Sequence, residues 1–299
     1  MKKLLFSIRN LLQRLVGPVA LHRLRKRIVR RSNTENGSCG HAERWIYIYP
    51  TFACTLKCSY CQNLHATGIH NPLEQCTMTP RAWAESINRI GRHVVISGGD
   101  PFVYHDLPGI VNRIAPHLKV VICSDLSAPG TLDALRAMRR PVSLDATYHP
   151  SSGKSGKFLQ TVEAARGLDG IEIALHSVAA GKAVKFLRRT QKEFLAKDLR
   201  LNLVAAYGDL AFEGSRQQQR ETVYCTKRNI NIGPDGKRYP CLTKTIRMQD
   251  PLCSVTAPGI ADDMPPHLCN DFGHCVPGDL EEVGMRIERL DGRGVLRPC

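Results

Sequence analysis

The chain has 299 residues, 42% of them hydrophobic, with 24 Gly and 18 Pro, a composition that excludes a wholly disordered, collagenous or coiled-coil protein. Its 42 Lys and Arg against 27 Asp and Glu leave a formal charge of +15, and no stretch approaches the ~18 uncharged apolar residues of a membrane-spanning helix. Its 12 cysteines, with no secretory segment before them, point to thiolates facing metal or a reducing cytoplasm rather than to disulfides.

The first predicted element is a basic amphipathic arm, residues 1–31, which holds ten of the Lys and Arg and no acidic residue, so the other 268 residues carry only +5. At 100° per residue, Leu4, Leu5, Ile8, Leu11, Leu12, Leu15 and Val16 share one face, with Lys2, Lys3, Arg9 and Arg14 opposite, and Gly17-Pro18 ends the helix. Such a helix suits peripheral contact with an anionic inner membrane face, a partner groove, or its own domain. It lacks the interleaved aromatics of a single-strand binder, so nucleic acid is disfavoured. Residues 32–44 are polar and read as a linker.

Six strand candidates follow: Trp45 to Phe52, His93 to Ser97, Leu118 to Cys123, Pro141 to Thr147, Gly170 to His176 and Arg200 to Ala206. Helical segments alternate with them, such as Pro80 to Ile90, where Thr79 is an N-cap and Pro80 the first helical position. Strand–helix alternation predicts an α/β fold with a parallel sheet, open or barrel-like, and function at the carboxyl ends of the strands.

At the end of the first strand stand Cys54, Cys58 and Cys61, spaced C-x3-C-x2-C in one loop. Three thiolates so close can converge on one metal centre. Zinc usually takes four protein ligands, and here only His65 is near enough to be a fourth. A four-iron cubane held by three thiolates keeps one iron open for a further ligand. Strand two runs into Gly98-Gly99-Asp100-Pro101, where glycines allow close backbone approach to a ligand.

Cys54, Cys58, Tyr60 and Cys61 resemble the C-x3-C-x-aromatic-C signature of radical S-adenosylmethionine (radical SAM) enzymes, and Gly98-Gly99-Asp100-Pro101 is similar to that family's GGEP motif with Asp in place of Glu. The resemblance spans about residues 45–210 and implies a partial (β/α)6 parallel barrel with a [4Fe–4S] cluster on the three cysteines. It implies SAM contacts from Tyr60 on adenine, from Gly98, Gly99, Asp100 and Pro101, and from Ser143, which lies in a Ser-Leu-Asp strand like the family's. The implied chemistry is reductive cleavage of SAM to a 5′-deoxyadenosyl radical that abstracts hydrogen from a substrate, in a net oxidation or group transfer. An external electron donor such as a flavodoxin or ferredoxin is implied as well.

The chain turns polar from Ala211 to Thr222, and residues 223–299 are read as a small cysteine-rich domain rich in Gly and Pro. Cys225, Gly236 and Cys241 resemble the C-x(9–15)-G-x4-C opening of SPASM and twitch extensions, which hold auxiliary iron–sulfur clusters. The Gly233 to Gly236 turn is expected to bring both thiols to one side of a hairpin. Cys269 and Cys275 are the preferred remaining ligands, Cys253 the substitute, and Cys299 is read as free. The later SPASM cysteine block is missing, which favours a single auxiliary cluster.

Cys39, Cys76 and Cys123 lack ligand spacing, and Cys123 reads as a small buried hydrophobe. Tyr148, His149 and His176 follow strands four and five and are candidates for moving a proton. A zinc-stapled binding protein using the basic arm, and a non-catalytic barrel homologue, are the rival readings. No large peptide-recognition domain fits before the first strand, which disfavours a leader-peptide substrate; the substrate itself is not legible.

Overall fold

The computed structural model describes residues 45–72, 76–150, 155–179, 183–205, 220–227, 229–257, 266–280, 286–290 and 295–296. The basic arm and the linker lie outside the described residues, as does Cys299.

Six parallel strands form the body of the larger sheet: β1 (Trp45–Thr51), β2 (His93–Gly98), β3 (Val120–Ser124), β4 (Val142–Tyr148), β5 (Ile171–Ala179) and β6 (Leu201–Ala205). They lie side by side in chain order. Between them run α1 (Gln62–Thr67), α2 (Pro80–Ile90), α3 (Leu107–Val111), α4 (Thr131–Arg136), α5 (Ser155–Arg166) and α6 (Ala183–Leu195). Helix α2 begins as its sequence requires: Thr79 Oγ1 accepts from Ala82 N, Pro80 opens the helix, and Gly91 closes it at φ 68° with its N–H on Ile87 O.

Strand alternation decides where the site can be. On β4, Val142, Leu144, Ala146 and Tyr148 are buried, while Ser143, Asp145 and Thr147 are only half-buried. The buried set joins Ile46 and Ile48 of β1, Val94 and Ile96 of β2, and Val120 and Ile122 of β3 in one core. Trp83 of α2, Ile110 of α3, Leu135 of α4, Phe158 of α5 and Phe194 of α6 belong to the same core. The helices therefore cover one face of the sheet. A doubly wound sheet is apolar on both faces; along β4 the second face is polar and partly open, as in a partial barrel.

Beyond residue 220 the chain forms two different things. Strand β7 (Glu221–Thr226) starts a small antiparallel sheet, completed by β11 (His267–Phe272), β12 (Arg286–Arg289) and β13 (Val295–Leu296) in the order β11-β7-β12-β13. Strands β8 (Ile230–Ile232), β9 (Lys237–Tyr239) and β10 (Cys253–Ser254) instead extend the large sheet to nine strands, with β8 parallel to β1. Helices α7 (Leu242–Arg247) and α8 (Pro277–Leu280) follow β9 and β11.

The expected Gly233 to Gly236 turn is present, with Gly236 at φ 69° and its N–H on Gly233 O. It does not place Cys225 and Cys241 on one hairpin. The hairpin is β8–β9, Cys225 lies on β7 of the other sheet, and Cys241 is the N-cap of α7. Pairing of Ile46, Tyr47 and Ile48 with Ile230, Asn231 and Ile232 draws the hairpin onto the edge of the large sheet, reinforced by a buried Tyr49 OH to Asn231 Oδ1 bond of 3.0 Å.

Candidate metal centre

The three-cysteine loop leaves the carboxyl end of β1 and runs into α1, whose N-cap is Cys61. Its backbone is bonded from several sides. Cys54 N donates to Asn71 Oδ1 at 3.1 Å and Asn71 Nδ2 to Cys54 O at 3.3 Å. His70 Nε2 donates to Cys58 O at 3.0 Å, and buried Asn63 donates to Phe52 O and His70 O, each at 3.1 Å.

The sulfurs face the ends of more distant strands. Cys54 Sγ donates to Asp125 Oδ2 at 3.5 Å, and Leu56 N donates to the same sulfur at 3.3 Å. Burial foremost, against the help of the Leu56 N–H and together with the Asp125 charge, pushes the Cys54 thiol up to about 12. Cys58 Sγ lies 3.3 Å from His149 Nδ1. Tyr60 OH lies 2.9 Å from the same nitrogen, and the two rings stack at 5.8 Å between centroids. Burial holds His149 below the usual histidine range, against the pull of Asp125.

Among the described residues, no group of three or more His, Cys, Asp and Glu side chains gathers as the ligands of a single metal ion do. Three thiols presented by one loop are a donor set for an iron–sulfur cluster.

Gly98-Gly99-Asp100-Pro101 is joined directly to this loop. Gly99 N donates to Thr51 O at 3.1 Å and Asp100 N to Ala53 O at 2.9 Å. A Cβ on Gly98, whose φ is 140°, would lie 2.0 Å from Thr51 O; one on Gly99 would lie 2.2 Å from Ala53 O. The glycines are required because two backbones meet there. Asp100 is fully enclosed, its Oδ1 accepting from Ser124 Oγ at 2.8 Å and from Phe102 N at 3.2 Å. Pro101 is buried too. Asp100 and Pro101 thus also hold the glycine backbone in place. Burial, and then the Asp125 charge, push the Asp100 carboxyl up to about 7.

Ser143 sits on the open face of β4, between Val121 and Glu172 in register. Further along that face, Cys123 aligns with Asp145 and Ala174, and Thr147 with His176 and Asn202. His176 Nδ1 bonds to Asp145 Oδ1, which raises the imidazole above its ordinary value despite partial burial. Cys123 shares this face with Asp145, and burial, then that carboxylate, push its thiol up to about 12. Tyr148 moves the other way. It packs on Phe158 and Phe194 at 5.4 and 6.0 Å under the helices, so it is removed from the proton-moving candidates.

Sequence reasoning missed Asn71, His70, Ser124 and Asp125. The last two follow β3 directly, and their position at a parallel strand's carboxyl end was the available signal. Leu126, beside them, takes a left-handed φ of 58° while buried, with its N–H on Ser124 Oγ at 2.9 Å.

The C-terminal thiols form a second group. Cys225 on β7 is buried, and its cross-strand neighbour is His267, two residues before Cys269 on β11. Burial first, then Asp279, push Cys275 up to about 12, with the Cys269 and Cys225 thiols adding to the rise. Cys241 is raised by burial, Asp279 and the Cys275 thiol. Cys225, Cys241, Cys269 and Cys275 are thus electrostatic neighbours. Cys253 pairs with Arg238 on the β9–β10 ladder of the large sheet. His267 Nδ1 is buried without a hydrogen-bond partner among the described residues, a group near the thiols that no spacing rule indicated.

Together these features define an α/β chain with a parallel sheet, covered by helices on one face and carrying a three-thiol loop at its carboxyl edge. The Radical SAM superfamily model matches residues 48–149, a stretch that holds β1 to β4, all three cysteines and the Gly-Gly-Asp-Pro turn. Solved structures similar to this chain include SuiB from Streptococcus suis bound to the precursor peptide SuiA, with 13% identity, a TM-score of 0.46, and coverage of 71% of this chain and 62% of that one. SuiB bound to S-adenosylmethionine is similar with 13% identity, a TM-score of 0.38, and coverage of 72% and 64%. The chain spans about three fifths of the length of the SuiB chains it matches. No curated protein sequence matches it. No helix among the described residues is long and apolar enough to cross a membrane.

Proposed function

We propose that this chain is a radical SAM enzyme in which Cys54, Cys58 and Cys61 hold a [4Fe–4S] cluster and the Gly98–Gly99 backbone, Tyr60 and Ser143 contact SAM. One observation carries the reading: the three-thiol loop and the Gly-Gly-Asp-Pro turn are bonded backbone to backbone, through Gly99 N to Thr51 O and Asp100 N to Ala53 O. Bound there, cluster and cofactor supply a reducing electron and a carbon-centred radical able to take hydrogen from an unactivated C–H bond.

The chain's own residues bind and orient. Asn71, Asn63 and His70 fix the loop, and Asp100 fixes the glycine backbone. Tyr60 is held in orientation by His149. On the open face His176 directs Nδ1 to Asp145, which leaves Nε2 as the atom to give a proton to a substrate or take one from it. Cys225, Cys241, Cys269 and Cys275 would hold an auxiliary cluster, and its presence would favour net oxidation. The electron donor would be an external flavodoxin or ferredoxin.

Anaerobic reconstitution tests the reading. About eight irons per chain are expected, from two four-iron clusters, with SAM cleaved to 5′-deoxyadenosine under reduction. Cys58→Ala should lose the first cluster and all cleavage. Stoichiometric zinc with no iron overturns the proposal.

A further inference from the structure

A buried ion pair stands beside the second thiol group. The side chains of Lys227 and Asp279 are each 2% exposed. Lys227 Nζ donates to Asp279 Oδ1 at 2.9 Å and to its carbonyl oxygen at 2.6 Å. The same carboxylate accepts from Leu242 N and Thr243 N, each at 2.8 Å, and from the Thr243 hydroxyl. Thr243 Oγ1 in turn accepts from Val276 N at 2.8 Å.

These bonds link three separate stretches of chain, and each stretch carries a cysteine. Lys227 is two residues past Cys225; Leu242 and Thr243 directly follow Cys241; Val276 directly follows Cys275, with Asp279 three residues further on. A buried ion pair seldom adds net stability over an apolar pair of the same shape. Its value here lies in geometry, because a carboxylate fully enclosed by donors has one permitted arrangement of them. It also takes the first two N–H groups of α7, leaving the Cys241 sulfur only the Lys244 N–H at 3.5 Å.

We propose that Asp279 is the positioning residue of the second thiol site, its carboxylate locking the backbone that presents Cys225, Cys241 and Cys275 before any metal arrives. The inference rests on reading the C-terminal thiols as one metal-binding group. Sites fixed in advance bind without first ordering their ligands, which is what such a lock accomplishes.

The test uses the full chain, reduced and metal-free, pulse-labelled with N-ethylmaleimide and read by peptide mass spectrometry. Asp279→Asn cannot accept from every donor and should speed labelling of Cys241 and Cys275 by about a hundredfold, since breaking a buried pair shifts local opening by at least that much. Labelling of Cys54 in the same molecules is the internal reference and should not change. A second variant, Lys227→Met with Asp279→Leu, replaces the pair by an apolar one and covers the case in which Asp279→Asn fails to fold. It should melt near the wild-type temperature yet reconstitute with only about four irons, against about eight in wild type. Wild-type iron content or slow labelling in the double variant overturns the proposal, because a merely structural pair would be rescued. If wild type itself takes up about four irons and no zinc, the metal reading of these thiols falls, while the labelling rates of Asp279→Asn still decide whether the carboxylate fixes them.

Discussion

Asp100→Asn is the sharpest probe of how the glycine turn is held. The Asp100 carboxyl is fully enclosed, takes hydrogen bonds from Ser124 and Phe102, and is pushed from 3.8 up to about 7 by burial and then by Asp125. A carboxyl raised in the folded state binds its proton more tightly there than when unfolded. Its contribution to stability is therefore complete below the unfolded value and is lost as pH rises through the folded one. The interval from 3.8 to about 7 corresponds to about 4 kcal/mol at about 1.4 kcal/mol per pH unit, an upper bound because relaxation around a buried charge reduces it. Asparagine keeps Oδ1 as acceptor for Ser124 and Phe102 and is neutral at every pH. Chemical denaturation of the metal-free chain at pH 5, 6, 7 and 8, about the span in which the folded carboxyl titrates, should show wild type losing stability with pH while Asp100→Asn stays flatter. Asp125→Asn, which removes the neighbouring charge, should lower the folded Asp100 value and so end the decline at lower pH. Curves for wild type and Asp100→Asn that run parallel across this range would refute an enclosed, proton-holding carboxyl at this turn.

Gly99→Ala drives a methyl group to within 2.2 Å of Ala53 O and 2.3 Å of Phe52 O, both backbone atoms, and should cost about 1–3 kcal/mol in thermal melts while lowering iron uptake at the first site. Asp145→Asn should lower the His176 titration, followed by NMR, because the carboxylate bond is what raises it. In wild type that pair favours the fold at low pH and loses its effect as pH rises through the His176 value; with both side chains about a third exposed, the effect on stability should be small. Thr79→Ala removes the acceptor for Ala82 N and should destabilise by about 1 kcal/mol, leaving iron content unchanged.

The six parallel strands of the large sheet were legible in the sequence. Strand three was expected to end at Cys123 and ends at Ser124; strand four was expected over Pro141 to Thr147 and runs Val142–Tyr148. Apolar runs of this length, spaced by helical segments, have few other ways to bury themselves. The strands past residue 220 were not legible. Ile230–Ile232 has three residues, all buried, too few to show a period, and its partner is β1, almost 200 residues earlier. Such pairing depends on which edge the folded sheet leaves open, a property of the assembled molecule that no local window contains. The expectation of a Cys225–Cys241 hairpin failed for that reason.

At the candidate centre, spacing found the thiols and the glycines but not the residues that steady them. Tyr148 could have been settled from sequence alone, since the alternation that sets Ser143 and Asp145 on the open face sets Tyr148 on the other. Asn71, and the contacts of Asp125 and His149 with the thiols, needed the third dimension. In a flat sheet β1 and β4 would stand about 14 Å apart, three spacings of about 4.8 Å, yet Cys58, on the loop after β1, reaches to 3.3 Å from His149 at the end of β4. A sheet that curves toward its open face shortens the reach the loop must make. Curvature in turn is permitted because the helices α2 to α6 load one face of the strands, leaving the polar side of β4, with Ser143, Asp145 and Thr147, free to turn inward. The contact of Cys54 with Asp125 and that of Cys58 with His149 are therefore consequences of the same asymmetry of burial, already written into β4 as alternating apolar and polar residues.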